Sequence, residues 1–286
     1  MLQTININTP ELNQRLDTYL VGVLHQYNRS KITKMIKSGK ISVNDQSVKP
    51  GYMLKKDDII KINHANMSDG VNASVEILYE DDNIIVLNKP SGMLTHSKGE
   101  SNDEPSVASA IQNKIDGLSG NRAGIVHRLD RGTSGVLITA KNEPTLKMLQ
   151  KQFANRKVIK KYIAVINGKL KETSAIIDVP ILRDPNNPKN FKADAYGKQA
   201  QTEYRTIVSK NDKSLLEVLP KTGRTHQIRV HLAHLGHPII GDIFYNGTPY
   251  ERLMLHAKSI ELTIPDKGRK IFISETPPEF NDIMME

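Results

Sequence analysis

The stretch Gly124 to Lys141 constrains this chain more than any other; it reads G-I-V-H-R-L-D-R-G-T-S-G-V-L-I-T-A-K. Its second half, Val136 to Ala140, is a run of apolar and β-branched residues that predicts a buried strand. Its first half crowds His127, Arg128, Asp130 and Arg131 together, and Gly132 to Gly135 then predict a turn. A charged loop therefore sits at the mouth of a core strand, where a rigid scaffold can hold chemical groups in place. Asp130 lies between two arginines, and nearby cations keep a carboxylate ionised. Such a carboxylate can act as nucleophile, general base or metal ligand. A structural ion pair beside a turn is an equally open reading. The order His-Arg-Leu-Asp rules out the kinase catalytic loop, in which Asp precedes Leu, and the chain has neither G-x-G-x-x-G nor D-F-G.

Composition narrows the classes. The 286 residues suffice for one large domain and a small one. No cysteine is present, which excludes disulfides, thiolate catalysis and cysteine-ligated zinc and fits a reducing cytoplasm. No apolar run reaches the roughly 18 residues of a membrane span, and Met1 to Pro10 carries no signal-peptide core. A soluble cytoplasmic protein is expected, with no membrane partner. The net charge of +9 points to a polyanion. With no Trp and only 14 Phe or Tyr, a broad stacking platform for single strands is not evident.

The charge is unevenly spread. Residues 11–61 hold ten Lys or Arg against five Asp or Glu, over half of the net excess. Residues 11–63 are expected to form a small domain of their own. Leu16, Leu20, Val23 and Leu24 recur at helical spacing. Ser30 suits an N-cap for a second helix, Lys31 to Ser38, closed by Gly39. Lys34 and Lys37 flank its apolar stripe and are candidate phosphate contacts, although a solvated lysine face reads the same way. Short strands are expected at Ile41–Val43 and Asp57–Ile62, with a turn at Asn44-Asp45. Residues 64–74 are polar and small and predict a linker.

Residues 75–286 are expected to form the larger domain. Strands are predicted from Val75, at Ile84–Leu87, Val158–Ile166, Ala175–Ile181, Gln201–Val208, Leu215–Leu219 and Ile260–Ile264, and helices at Val107–Ile115 and Pro144–Asn155. A second charged cluster spans Lys221 to His231, K-T-G-R-T-H-Q-I-R-V-H. A helix from Thr225 to Leu235 would bury Ile228, Leu232 and Leu235, with Arg229 beside that stripe. Strands interleave with few helices, so the expected class is α+β with a mostly antiparallel mixed sheet. His226, His231, His234 and His237 invite a metal reading. Their spacing rotates around a helix, no acidic ligand sits among them, and the zincin pattern is missing, so no metal is expected.

Three segments together, His127-Arg128-Leu129-Asp130, Lys160-Lys161-Tyr162-Ile163-Ala164-Val165 and Gly223 to His231, resemble the RluA/RluD family of RNA pseudouridine synthases. Asn88-Lys89-Pro90-Ser91-Gly92, Gly241-Asp242 and Leu255-His256-Ala257 follow the family in order. The resemblance covers about Val75 to Pro278. The first module is similar to the small RNA-binding domain named after ribosomal protein S-four, through its helix spacing and K-x-x-x-x-G-K-I-S-V-N at Lys34 to Asn44. The resemblance implies conversion of uridine to pseudouridine, with no cofactor and no metal. It implies that Asp130 is the catalytic aspartate, attacking ribose or base, and that Arg229 pairs with it. Tyr162 would stack on the flipped uracil and take part in removing its carbon-5 proton. Arg128 would fill the space left by the extruded base. His127, Arg224 and Lys89 fall in the matching motifs as further substrate contacts; for His127, orientation of the loop stands beside any chemical role.

The expected partner is RNA, ribosomal more than transfer, and the expected state a monomer. A non-catalytic RNA-binding or ribosome-assembly factor retaining the fold is the competing function. A metal-dependent nuclease would need clustered carboxylates, which Asp130 lacks in sequence.

Overall fold

The structure is a computed structural model. It describes residues 2–7, 13–24, 27, 29–63, 75–97, 104–118 and 122–285. The chain divides into two units: 1–73 with 97–105, and 74–96 with 106–286. The expected linker at residues 64–74 lies outside the described residues.

In the first unit, strand β1 (Leu2–Asn6), helices α1 (Leu16–Val23) and α2 (Arg29–Lys37), and strands β2 (Ile41–Val43) and β3 (Ile59–Asn63) follow in order. The sheet order is β1-β3-β2, antiparallel throughout. An expected domain start at residue 11 misses β1. That strand is polar in part and short, and its register comes from pairing with β3 rather than from its own pattern. Helix α2 starts at Arg29, so Ser30 is a first-turn residue rather than the expected N-cap. Leu16, Leu20, Ile32, Met35 and Ile36 from the helices close over Ile41, Val43, Ile60 and Ile62 from the sheet. Asn44 and Asp45 take positive φ, the backbone that Asn and Asp tolerate in a tight turn.

Asp17 joins the two helices. It is buried, and Arg15 and Arg29 each donate two hydrogen bonds to it at 3.0–3.2 Å. The bonds from Arg15 lead in holding its carboxyl down at about 2. A depressed acid contributes stability that is complete above its unfolded value near 4 and disappears as pH falls toward 2. Amide protection in α1 and α2 should therefore weaken across that window. Asp17→Asn should flatten the pH dependence there and cost about 2 kcal/mol at neutral pH. Equal pH dependence in both proteins would remove Asp17 from this role.

The second unit is built on one nine-stranded sheet. Its strands are β4 (Glu76–Glu80), β5 (Ile84–Lys89), β6 (Ser134–Ala140), β7 (Ile159–Asn167), β8 (Ser174–Asp178), β11 (Gln201–Lys210), β12 (Lys213–Pro220), β13 (Leu255–Ile264) and β14 (Gly268–Ile273). The order is β4-β5-β6-β13-β7-β12-β11-β8, with β14 on β13. Only β6 and β13 run parallel, so the sheet is mixed and mostly antiparallel, and the class is α+β. Every residue of β6 is buried, which answers to its unbroken apolar run.

Helices α3 (Val107–Ala110), α4 (Glu143–Ala154), α5 (Gln227–His234) and α6 (Glu279–Met285) complete the unit with a separate hairpin, β9 (Ile181–Arg183) and β10 (Phe191–Ala193). Helix α4 is capped by the Asn142 side chain, which accepts from the Thr145 amide at 3.0 Å. The strand expected from Ala175 to Ile181 is two strands, since Pro180 has no N–H for the ladder. The expected helix at Val107–Ile115 shortens to α3 and a 3-10 turn at Gln112–Lys114. Helix α5 starts at Gln227, because His226 takes φ 56°, outside helical space. Ile228 and Leu232 are buried as expected, but Leu235 is 38 % exposed and leaves the stripe.

Candidate active site

Sheet register brings the separated motifs together. Ala257 of β13 pairs with Gly135 on one side and with Tyr162 on the other, so the ends of β6 and β7 lie one strand apart. Gly135 makes this possible: its φ is +109°, and a Cβ there would stand 2.3 Å from the Ala257 carbonyl oxygen. The loop carrying Asp130 enters β6 just beside this row.

That loop is held from several sides. The Thr95 hydroxyl donates to the Leu129 carbonyl at 2.9 Å and accepts from its amide at 3.1 Å. Ser91 donates to the Gly132 carbonyl at 2.8 Å. Lys89, expected as a substrate contact, is instead fully buried, and its ammonium donates to the carbonyls of Pro90, Met93 and Arg131 at 2.9–3.1 Å. Burial pushes its pKa down to about 7. It braces the loop from behind and does not line the cavity. His127 accepts from the Ile138 amide through Nε2 at 3.1 Å and stacks on Phe153 with ring centroids 4.8 Å apart. Burial, then the nearby Lys160 charge, lower its pKa to about 3, so the ring is neutral and Nδ1 carries the proton.

Asp130 is 16 % exposed, and its Oδ2 lies 3.4 Å from Nη1 of Arg229 and 3.9 Å from Nε2 of His226. The expected Asp130–Arg229 pairing is present but is the weaker of two. Arg229 binds Asp242 in a fork, Nε to Oδ2 at 2.6 Å and Nη2 to Oδ1 at 2.7 Å. Burial works against the Arg229 charge, and the bonds to Asp242 more than restore it, holding the group above the ordinary arginine range. Phe244 and Tyr245 lie against the guanidinium at 5.6 and 5.0 Å. Gly241 fixes the approach of Asp242, since a Cβ there would stand 1.9 Å from the Arg252 carbonyl oxygen. Asp242 was legible only as part of a motif. Nothing in the order of residues says that it takes two of the three guanidinium nitrogens and leaves Nη1 for Asp130.

Asp130, Tyr162 and Arg229 line one cavity of about 460 Å³, with His127, Arg128, Lys160, Arg224 and His226. Six Lys or Arg line it (Arg128, Arg156, Lys160, Lys221, Arg224 and Arg229) against the single carboxylate of Asp130. Tyr162 is half-buried at the wall, and burial, then the Asp130 charge, push its pKa upward, so the phenol is neutral. Arg224 donates from Nε to the Gln199 carbonyl at 3.0 Å, and Arg128 is exposed at the rim. Gln227 stitches the floor: its carbonyl oxygen accepts from the Thr222 hydroxyl and the Arg224 amide, and its amide donates to Gln201 and Thr202 of β11. Of the four histidines of the metal reading, His226 bonds the Tyr245 hydroxyl, His231 bonds Thr202 and Val179, and His237 bonds Asn167. Lys34 and Lys37 are exposed on α2 of the first unit and are not part of this cavity.

Residues 83–234 match the family model for RNA pseudouridylate synthase, and residues 14–60 match the S4 domain. The chain is 39 % identical over 285 residues to a ribosomal large subunit pseudouridine synthase D of Borreliella burgdorferi, covering 93 % of this chain and 87 % of the relative. It is 35 % identical to a ribosomal large subunit pseudouridine synthase C of Buchnera aphidicola, covering 95 % and 93 %. The solved structure of human RNA pseudouridylate synthase domain containing 1 superposes with a TM-score of 0.60 at 25 % identity, covering 75 % of this chain and 89 % of that one. With these matches spanning the cavity and the sheet that builds it, the chain belongs to the RNA pseudouridylate synthase family, carrying an S4 domain ahead of its catalytic domain.

Proposed function

We propose that this chain isomerises uridine to pseudouridine in large-subunit ribosomal RNA in the cytoplasm, with Asp130 as nucleophile. The observation that carries this reading is the meeting of Asp130, Tyr162 and Arg229 in one cationic cavity of a chain whose relatives bear ribosomal names. The N1–C1′ bond breaks, a C5–C1′ bond forms, the carbon-5 proton leaves and N1 gains one. The product is an isomer, so no co-reactant is consumed. Arg229 Nη1 engages Asp130 through Oδ2 and leaves Oδ1 to attack the ribose or the base. The neutral Tyr162 ring offers the turned-out uracil a flat face to stack on. Arg128, at the rim, suits the gap in the RNA stack, and Arg224 suits a phosphate.

Release of tritium from carbon 5 of uridine in RNA tests the activity. Release that persists with a chelator present supports the reading. RNA binding without release would make the chain a non-catalytic binding factor. The S4 domain is expected to add to RNA affinity through its lysine face. Lys34→Glu with Lys37→Glu should weaken RNA binding and flatten its salt dependence, by about 0.7 to 0.9 in log–log slope for each phosphate no longer neutralised. An unchanged slope would exclude these lysines from the RNA interface.

A further inference from the structure

Lys160 is a charged group to which the proposed isomerisation gives no part. It lies on β7 two residues before Tyr162, so both side chains point to the same face of the strand, and both line the cavity. Its ammonium makes one long hydrogen bond, to the Thr222 carbonyl at 3.3 Å. Among the described residues it has no ion-pair partner. An ammonium carries three donors, and burying it without a counter-charge is costly. The bare backbone of Gly223 lies beside it, where even a Cβ would stand 3.8 Å from Nζ.

The surroundings indicate what would satisfy it. His127 lies within reach of its charge, and the titratable and charged groups that share the cavity with it are Arg128, Asp130, Arg156, Tyr162, Lys221, Arg224, His226 and Arg229. His127 and Tyr162 are neutral. Lys221 is already paired with Glu203 at 2.6 Å, and Arg224 is partly engaged by Gln199. Asp130, the one carboxylate on the lining, is held by Arg229. Where Lys89 has three carbonyls around its ammonium, Lys160 has one, and an anion in the cavity would meet both its charge and its remaining donors.

We propose that Lys160 holds a backbone phosphate of the RNA inside the cavity, beside the uridine stacked on Tyr162, and so fixes the register of the strand from which the base is turned out. This rests on the uridine-isomerase reading. Burial lowers the Lys160 pKa to about 8. A cation with a lowered pKa is charged below that value and loses its hold on phosphate as pH rises through it.

The test uses the full chain and RNA tritiated at uridine carbon 5, taken from cells lacking this chain. Tritium release by the unaltered chain tests the isomerase reading by itself. Lys160→Met should weaken RNA binding about tenfold, with KM rising more than kcat falls, and should lower the salt slope by about 0.7 to 0.9. Lys160→Arg should restore most of both. RNA affinity of the unaltered chain should decline as pH rises through about 8, and that of Lys160→Arg should not, because a guanidinium keeps its charge. Melting curves on each protein separate unfolding from a weakened hold on the RNA. An unchanged salt slope in a folded Lys160→Met protein, or the same pH decline in Lys160→Arg, would overturn the proposal.

Discussion

Asp130→Asn should give a folded protein that binds RNA and makes no pseudouridine. The substitution keeps the shape of the side chain and removes its charge, and an amide cannot form the adduct that a carboxylate nucleophile forms. RNA affinity should hold or rise slightly, because a carboxylate in a cavity lined by six cations otherwise faces the incoming phosphates. A general-base role predicts a milder loss, about a hundred- to ten-thousandfold. A purely structural role predicts a lower melting temperature with activity retained in the folded fraction. Asp130 is 16 % exposed and its hydrogen bond with Arg229 is long, so its removal should cost little stability. Single-turnover kinetics with a melting curve on the same preparation decide among these outcomes. Turnover within a hundredfold of the unaltered chain, at unchanged melting temperature, would take Asp130 out of the nucleophile's role.

The second large effect is expected at Arg229, and it reaches beyond chemistry. Arg229→Ala removes the counter-charge from Asp242, which is 1 % exposed and has the guanidinium on both oxygens. An uncompensated buried carboxylate costs about 3–5 kcal/mol. The melting temperature should fall clearly, and activity should be lost even in the protein that remains folded, since Asp130 loses its nearest cation. Arg229→Lys should recover part of the stability and little of the activity, because a point charge cannot serve Asp242 and Asp130 in one fixed plane. Asp242→Asn should lower activity without touching the reacting atoms, by letting the guanidinium turn. The pair should be strongly non-additive in a double-mutant cycle. Additive losses from Arg229→Ala and Asp242→Asn would contradict the fork.

The motifs of the site were legible because they are dense and chemically specific. Asp130, Tyr162 and Arg229 could each be named from local sequence and resemblance. The cavity they share was not legible, because it depends on β13 lying between β6 and β7, and its residues pair with partners 91 to 122 positions away. The core strands β5, β6 and β12 show in their apolar pattern, since they are buried on one or both faces. Strands β1 and β14 do not, because edge strands with exposed faces carry little hydrophobic signal. Lys89 shows the limit of motif reading. A lysine in a turn reads as a surface cation, and only the placement of three carbonyls around its ammonium shows that it supports the loop carrying Asp130 from within. Asp242 shows the converse: an ordinary loop aspartate in sequence takes the stronger share of Arg229.

The central claim is that this chain makes pseudouridine in large-subunit ribosomal RNA through Asp130. The most direct measurement is a map of pseudouridines in RNA from cells lacking the chain, and from the same cells given back either the unaltered protein or Asp130→Asn. At least one pseudouridine should disappear from large-subunit ribosomal RNA, return with the unaltered protein, and stay absent with Asp130→Asn present at equal abundance. Identical ribosomal maps in all these cells, or restoration of the missing site by Asp130→Asn, would contradict the claim.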